Sequence, residues 1–483
     1  MSNLFSSYQS TFSWRYGSKP MREIFSEENK YKLWRKIWVA LAMAQYDAGL
    51  ITKKELTDLK NNQENIDINQ ILEHEKKTRH DVVAAIKEFA AKATDGGGKI
   101  HLGATSMDIV DNTDAIRTQQ ALHIVEEKIL AILAILTEKI EQYADHVCMG
   151  YTHLQPAEPT TVGYRLSVYA QDLLTDYHFL QFVKKEIKAK GMKGAVGTAA
   201  SYTAVLDRHS GEQSDSRIDS GQARMTAMEM EQNVMNQLGI EPAIISTQVS
   251  PRKYDYLVLT LLASISSTFA KFAGDLRLLQ SPSIGEWAEP FGKNQVGSSA
   301  MPFKRNPINA EKICSLARYV AALPTVALEN ATLSYLERTL DDSANKRIVM
   351  PEAFLATDEI LQVGEKLLSG LVINEKKIAF NLAQYAPFAA TEAILMESVK
   401  QGASRQDMHE TLRDISMKAW GEVQEGKPNP MEKLLRENQS ILKYLSKEHI
   451  ISLIEVKHHI GNAPERAKKL VRNIEKLKKG SKL

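Results

Sequence analysis

The segment from residue 252 to 280 constrains the fold of this 483-residue chain more than any other stretch. Its apolar residues recur at spacings of three and four, which predicts a helix; they are Leu257, Leu261, Ile265, Phe269, Phe272, Leu276 and Leu279. Apolar residues also stand between them, at 258, 259, 262 and 263. A helix of this range would be roughly 40 Å long. Because it is apolar on several faces, we expect it in the core of a helix bundle that subunits share.

A second stripe with the same spacing indicates that helices dominate the chain. It comprises Leu122, Val125, Ile129, Ile132, Leu133, Leu136 and Ile140. Alternating β-branched runs are short, and only 15 prolines interrupt the chain. The sequence therefore predicts an all-α fold.

Two interruptions of the helical pattern predict three domains. The first is "ATDGGGKI" at 93–100, and the second is "LLSGLVINEKKI" at 367–378. We expect an N-terminal helical domain over 1–108, a central long-helix domain over 109–370 and a C-terminal helical domain over 371–483. "GGGK" itself lacks the Walker spacing and a preceding strand, so a turn is expected there.

Charge and cysteine content limit the possible partners. The net charge of +2 gives no overall field for nucleic acid or a membrane surface. No signal peptide or membrane span is expected. Two cysteines suggest a reducing compartment. The final Ser-Lys-Leu matches a peroxisomal address, but three residues after a lysine-rich tail arise easily by chance, and we expect a cytoplasmic protein. No histidine or cysteine spacing predicts a metal site.

The stretch "GSSAMPFKRNP" at 297–307 combines mobile small residues with cations. Asn306 followed by Pro307 predicts a helix start, with Lys304 just before it. A helix N-terminus and a lysine together suit an anion. A solvated linker before a capped helix is the alternative.

Four further clusters carry groups capable of acid–base chemistry or anion binding. His153 lies in "GYTHLQPAEPTT", in a predicted loop leading to a helix, and could donate a proton near neutral pH. "KTRHDVVAAI" begins a helix with Arg79, His80 and Asp81 in succession. For both histidines a structural role is the alternative. Two more clusters are suited to anions: Thr105 and Ser106 in "HLGATSMD", and Arg338, Ser343 and Arg347 in "ERTLDDSANKR". Helix capping and a charged helix face are their respective alternatives.

These segments together resemble a known family. "GSSAMPFKRNP" resembles the signature loop of the fumarase/aspartase superfamily. In order along the chain, "RHDVVA", "HLGATSMDIVDNTD", "THLQPAEPTTVG", "SPRK", that loop, "ERTLDDSANKR" and "SRQDMHE" resemble the adenylosuccinate lyase family. The resemblance extends from about Arg15 to beyond His409.

The resemblance implies a homotetramer with a central bundle of long helices and active sites built from three subunits. It implies β-elimination of fumarate from adenylosuccinate to give AMP, and from succinyl-aminoimidazole carboxamide ribotide (SAICAR) to give AICAR. Neither a cofactor nor a metal is expected.

The resemblance also implies roles for particular residues. Ser298 would be the base, His153 the acid and His80 a support for the leaving group. Lys304 and the helix start would stabilise the charge that forms. The implied substrate-binding residues are Arg15, Tyr16, Arg79, Asp81, Thr105, Ser106, Gln248, Asn306, Lys312, Arg338, Ser343 and Arg347, of which the last three would lie near the phosphate of the nucleotide. Lys312 departs from the arginine of animal-like relatives, and lysine lacks the bidentate fork.

Two alternatives remain open at the level of the sequence. The chain could be another lyase of the superfamily, with argininosuccinate lyase the main rival. It could also be a structural tetramer that has lost activity, although the presence of Ser298, His153 and Lys304 argues against this.

Overall fold

The computed structural model describes residues 6–212, 225–292, 297 and 300–480. Helices dominate these residues and confirm the predicted all-α class. The α-helices are α1 Lys19–Ile24, α2 Glu27–Asp47, α3 Lys53–Asn61, α4 Ile68–Thr78, α5 Asp81–Lys92, α6 Ser106–Gln142, α7 Val162–Glu186, α8 Ala200–Glu212, α9 Ala227–Leu238, α10 Lys253–Leu279, α11 Ile308–Leu333, α12 Asp341–Ser369, α13 Glu375–Tyr385, α14 Ala390–Lys400, α15 Arg405–Gln424, α16 Met431–Glu437, α17 Gln439–Leu442, α18 Lys447–Ile454 and α19 Ala463–Gly480. Short 3-10 helices cover Thr11–Ser13, Gly97–Lys99, Ala386–Ala389 and Val456–His459.

The strands form two small antiparallel ribbons within the described residues. β1 (Val147–Thr152) pairs with β2 (Gln155–Thr161), and β3 (Trp287–Ala288) pairs with β4 (Val372–Ile373). Each ribbon has only two strands, so helices supply nearly all of the packing.

The long helices follow the apolar stripes read from the sequence. All seven stripe residues of α6 are buried. On α10, buried residues include Val258 and Leu262 as well as Leu261 and Ile265, so the helix is covered on more than one face. By length and composition α10 is the one helix in the described ranges that could cross a membrane, and half of that apolar window is buried within the chain. A core helix meets the same criterion.

The chain divides into two compact units. The first comprises residues 1–127, 177–266 and 316–362, and the second comprises 128–176, 267–315 and 363–483. These bounds fall inside the long helices, and the three-domain division at 108 and 370 stays a prediction.

Each unit has its own apolar core. The core of the first unit includes Trp34, Trp38 and Phe89. A core in the second unit is built by α14 to α18, with Ile394 and Leu435 fully buried.

Candidate active site

The predicted site residues fall into two groups, one in each unit. Those in the first unit are Arg15, Tyr16, Arg79, His80, Asp81, Thr105, Ser106, Gln248, Arg338, Ser343 and Arg347. Those in the second are His153, Lys304, Asn306 and Lys312. Ser298, the predicted base, lies outside the described residues.

In the first unit, His80 lies at the junction of α4 and α5. Arg79 ends α4 in the left-handed conformation (φ 54°), which turns the chain so that His80 becomes the N-cap of α5. The Val83 N–H donates to His80 Nδ1 at 3.4 Å. Because Nδ1 accepts, the ring proton belongs on Nε2. The side chain is 47% exposed, so Nε2–H can donate to a bound substrate.

Asp81 and Arg347 are brought together although 266 residues separate them. Arg347 Nη2 donates to Asp81 Oδ2 at 3.2 Å, while Asp81 Oδ1 accepts from the Val82 N–H. Arg347 remains 66% exposed, so the contact contributes little stability. It instead places the guanidinium beside the start of α5.

Arg338 is held by a network of buried charges. Its Nη1 donates to Asp342 at 3.0 Å, and Asp342 also contacts Arg252 Nε at 2.6 Å. Arg252 in turn pairs with Asp111 at 3.1 Å. Burial alone would raise the pKa of Asp111, but Arg252 and Lys346 lower it below its usual value, so the carboxylate stays charged. Arg338 therefore projects from a support that is itself fixed.

Gln248 and Ser343 lie on either side of this arginine segment. The Gln248 N–H donates to the carbonyl of Glu337 at 3.3 Å, next to Arg338. Ser343 lies in the first turn of α12, where its N–H donates to Leu340 O at 3.1 Å.

Arg15 and Tyr16 follow a 3-10 turn near the N-terminus. Both N–H groups donate to Thr11 O, at 2.8 and 3.0 Å. The Arg15 guanidinium lies 5.7 Å from the centre of the Trp14 ring. Tyr16 packs edge-on against Phe12. The pair thus has a defined backbone but an exposed arginine head.

Thr105 and Ser106 lie at the start of α6, which begins at Ser106. The Thr105 N–H donates to Asp108 Oδ2 at 3.0 Å. Asp108 is fully buried and also accepts from Tyr202 OH at 3.0 Å and from Lys190. This carboxylate fixes the turn that carries both hydroxyl groups.

His101 was missed by the sequence reasoning although it opens the same motif as Thr105. Trp38 Nε1 donates to its Nδ1 at 3.1 Å. Burial lowers the pKa of His101 to about 4, and the charge of Asp108 opposes this shift. The ring is therefore neutral at pH 7, with its proton on Nε2. The sequence signal that could have drawn attention to His101 is its position four residues before the adjacent hydroxyl groups of Thr105 and Ser106.

In the second unit, His153 lies at the tip of a β-hairpin. The loop that the sequence predicted around this residue is wrong, because the segments on both sides of the turn are paired strands. His153 and Leu154 have φ of 53° and 62° and join β1 to β2. Two successive positive φ angles are the pattern of a type I′ turn. This left-handed conformation costs each non-glycine residue about 1–2 kcal/mol. His153 is exposed. Such strain at an exposed histidine is typical of functional turns.

The helix start after Asn306 forms as predicted, with α11 beginning at Ile308. The N–H groups at the start of this helix, however, already donate to a carboxylate of the same chain. Glu289 accepts from Ala310 N–H at 2.7 Å and from Asn309 N–H at 3.3 Å. The helix end is therefore not an open site for a substrate carboxylate, because an internal carboxylate occupies it.

Lys304 and Asn306 lie close to Gly297. Asn306 Nδ2 donates to Gly297 O at 3.2 Å, and a Cβ at position 297 would come within 2.1 Å of Lys304 O. Only glycine fits this close approach. Lys304 is exposed and Lys312 is half-buried on α11. No hydrogen bond joins His153 to Lys304 or Asn306, all three being described residues.

No group of three or more His, Cys, Asp and Glu side chains suited to a metal occurs in the described ranges. The side chains present are acid–base groups, hydroxyls and cations. They can move protons and hold anions.

Comparison with known families identifies the class of this chain as a lyase. A family described as Lyase matches residues 15–321. The fold is similar to that of a fumarate lyase from Mesorhizobium sp. BNC1, with a TM-score of 0.81, 21% identity and coverage of 96% of this chain and 99% of that one. It is also similar to 3-carboxy-cis,cis-muconate lactonizing enzyme from Pseudomonas putida, with a TM-score of 0.83, 21% identity and 97% and 99% coverage.

More similar relatives identify the family within this class. A second family, described as Adenylosuccinate lyase C-terminus, matches residues 387–470. Adenylosuccinate lyase from Schistosoma mansoni is 36% identical over 95% of this chain and 93% of its own length. The Saccharomyces cerevisiae protein of that name is 36% identical, covering 97% and 94%, and the Pyrococcus abyssi one 34%, covering 96% and 98%. The chain belongs to the adenylosuccinate lyase family.

Proposed function

We propose that this chain eliminates fumarate from adenylosuccinate to give AMP, and from SAICAR to give AICAR, in purine nucleotide biosynthesis. The observation that carries the proposal is the near-full-length identity of 33–36% to relatives named for the first reaction. The C-terminal match over 387–470 supports this member over other lyases of the superfamily.

The chemistry is a β-elimination that needs a base and an acid. In the proposal Ser298 removes the proton from the carbon beside a carboxylate. The electron pair of the broken C–H bond then forms the new C=C double bond. The C–N bond breaks, and His153 protonates the departing nitrogen. Lys304 stabilises the negative charge that develops on the carboxylate. Because SAICAR carries the same succinyl-amine linkage, the same groups serve both reactions.

A direct assay tests the activity. Purified protein should change the ultraviolet absorbance of adenylosuccinate and of SAICAR as fumarate is released, and should leave argininosuccinate intact. Cleavage of argininosuccinate alone would establish the rival lyase. Inertness toward all three would favour a structural tetramer.

The protein is further proposed to be a homotetramer whose active sites combine residues of several subunits. Large apolar side chains remain exposed on its long helices, among them Phe182 on α7 (51%), Leu333 on α11 (43%) and Ile348 on α12 (56%). In the proposal, neighbouring subunits cover these side chains.

Complementation between inactive variants tests the shared site. Mixing His80→Ala and Ser298→Ala proteins under subunit exchange should restore activity, because some sites would then draw both intact residues from different chains. Exchange without restored activity would contradict shared sites.

A cytoplasmic location is proposed because both cysteines are free thiols, as in reducing compartments. A fluorescent fusion at the N-terminus, with and without the final three residues, should show the same diffuse signal. Punctate signal that requires those residues would contradict this.

A further inference from the structure

The hairpin that carries His153 has little support of its own. It consists of β1 and β2 alone, and isolated two-stranded hairpins are marginally stable in water. β2 contains Pro156 and Pro159, which lack the N–H needed for strand pairing. The pairing register also shifts between Met149 and Tyr151. Strand pairing therefore does not hold the tip firmly.

Packing leaves a gap beside the same hairpin. An open pocket of about 630 Å³ lies between its strands and the start of α14. Its lining residues include Tyr151, Thr152, Glu158, Thr160, Phe388 and Glu392. On this side of the hairpin, polar contacts add to the packing that Cys148 and Met149, both fully buried, provide elsewhere.

Glu286 supplies such contacts and is fully buried. Its Oε1 accepts from Tyr151 OH at 3.3 Å and from Asn381 Nδ2 at 3.0 Å. Its Oε2 accepts from Arg165 Nη1 at 2.9 Å. The other terminal nitrogen of Arg165 donates to the carbonyl of Met149. One carboxylate therefore holds β1 at two points, through Tyr151 and through Arg165.

Tyr151 is suited to this anchoring. Burial raises its pKa above the usual range, and the Glu286 charge raises it further, so the phenol stays a neutral donor. Tyr151 precedes His153 by two residues, or about 7 Å of strand. A shift at the anchor is therefore transmitted directly to the tip.

We propose that Glu286 is a positioning residue for catalysis, which sets the place of His153 through Tyr151 and Arg165. The inference rests on the proposed role of His153 as general acid. Displacing a reacting group by about 1 Å can slow a reaction by up to ~10²-fold. Loss of this anchor should consequently reduce kcat without weakening substrate binding.

Tyr151→Phe tests the inference with little risk to folding, because only a hydroxyl is removed. We expect kcat to fall about tenfold while KM changes little. Tyr169→Phe is the matched control, since Tyr169 OH also donates to a carboxylate of the second unit, Asp275 Oδ2 at 2.7 Å, but holds no part of the hairpin. The control should retain the wild-type kcat. Equal kcat losses in the two variants would overturn the inference.

Combining the change with His153→Ala separates positioning from general damage. If Tyr151 acts through His153, Tyr151→Phe should slow the wild type but cause no further loss in the His153→Ala enzyme. The same tenfold loss in both backgrounds would overturn the inference while leaving the acid assignment intact. A His153→Ala enzyme of near-normal rate would reject the acid assignment, and the inference with it. Glu286→Gln should repeat the pattern of Tyr151→Phe.

Discussion

Arg338 and His153 are both predicted site residues, but the two units hold them in different ways. Arg338 pairs with Asp342, which is 5% exposed, and the ion network continues through Arg252 to Asp111 on α6. His153 lies on an exposed turn with positive φ, and its support is one buried carboxylate reached through Tyr151. The first arrangement depends on folding of the unit itself, whereas the second depends on the placement of a small ribbon.

This difference suits the two tasks assigned to the residues. A phosphate is bound by fixed cations, and buried ion pairs keep the cations in place. A general acid must reach a bond in the substrate, and an exposed tip permits this. Changes in the ion network around Arg338 should therefore affect stability and binding, and changes at the tip should affect kcat.

The largest effect is expected from His153→Ala. Loss of a general acid costs about 10²–10⁴-fold in rate, and an exposed side chain can be removed without unfolding the protein. We expect kcat to fall by this factor while the circular dichroism spectrum and oligomer size stay unchanged. His123→Ala is the control, because His123 is a 63% exposed histidine on α6 with no proposed role. If kcat were similar in the two variants, His153 would have no special role in catalysis, and the proposed difference between the two regions would be wrong.

Asp111→Asn should act on stability instead. Removing one partner of a buried ion pair typically costs about 3–5 kcal/mol. Because Arg252 keeps Asp342 and Lys346 keeps Asp255, the loss should lie near the lower end of that range. Denaturant unfolding should show a loss of this size. Asp145→Asn provides the comparison, because that carboxylate is 73% exposed and pairs only at the surface with Lys468. A loss below 1 kcal/mol for Asp111→Asn would mean that the network contributes orientation but little stability.

Arg347→Ala distinguishes binding from positioning in the first unit. A charge-assisted hydrogen bond contributes about 1.5–3 kcal/mol, so kcat/KM for adenylosuccinate should fall roughly ten- to a hundred-fold. A dephosphorylated analogue should be affected much less, because the partner of Arg347 is already missing. The comparison of enzyme and ligand truncations isolates the coupling. Equal losses on both ligands would show that Arg347 holds something other than the phosphate.

The sequence predicted those features that depend on local periodicity. The stripe from Leu122 to Ile140 is buried as expected, and the helix predicted over 252–280 forms as Lys253–Leu279. The start of α5 next to His80 also followed from neighbouring residues. In each case the determining contacts lie within a few residues or along one helix face.

Features that depend on distant residues could not be read in this way. The sequence predicted a loop around His153, whereas the structure pairs β1 with β2, and an edge position accommodates the two prolines of β2. Glu289, about 20 residues earlier in the chain, accepts hydrogen bonds from the start of α11. Nothing in the neighbouring sequence indicates that this helix start already binds a carboxylate. His101 gained its low pKa from burial against Trp38, 63 residues earlier in the chain.

The smallest expected effect is on stability, and it concerns the carboxylates that cap helix starts. One such carboxylate from each unit is compared. Glu289 is 6% exposed and accepts three hydrogen bonds, from Asn309 N–H and Nδ2 and from Ala310 N–H. Glu289→Gln keeps one oxygen but removes the charge that faces the α11 N-terminus. Capping and helix-dipole contributions together predict a loss of about 1–2 kcal/mol.

Glu55→Gln in the first unit is the matched change, because Glu55 completes the capping box of α3 with Thr52 at the surface. Solvent screens that site, so the loss should be only a few tenths of a kcal/mol. Hydrogen exchange should show faster exchange at Asn309 and Ala310 in Glu289→Gln, with the amides of α12 unchanged. If Glu55→Gln were the more destabilising of the two, the anion at the α11 start would not be a structural element, and the helix end would again be available to a substrate carboxylate.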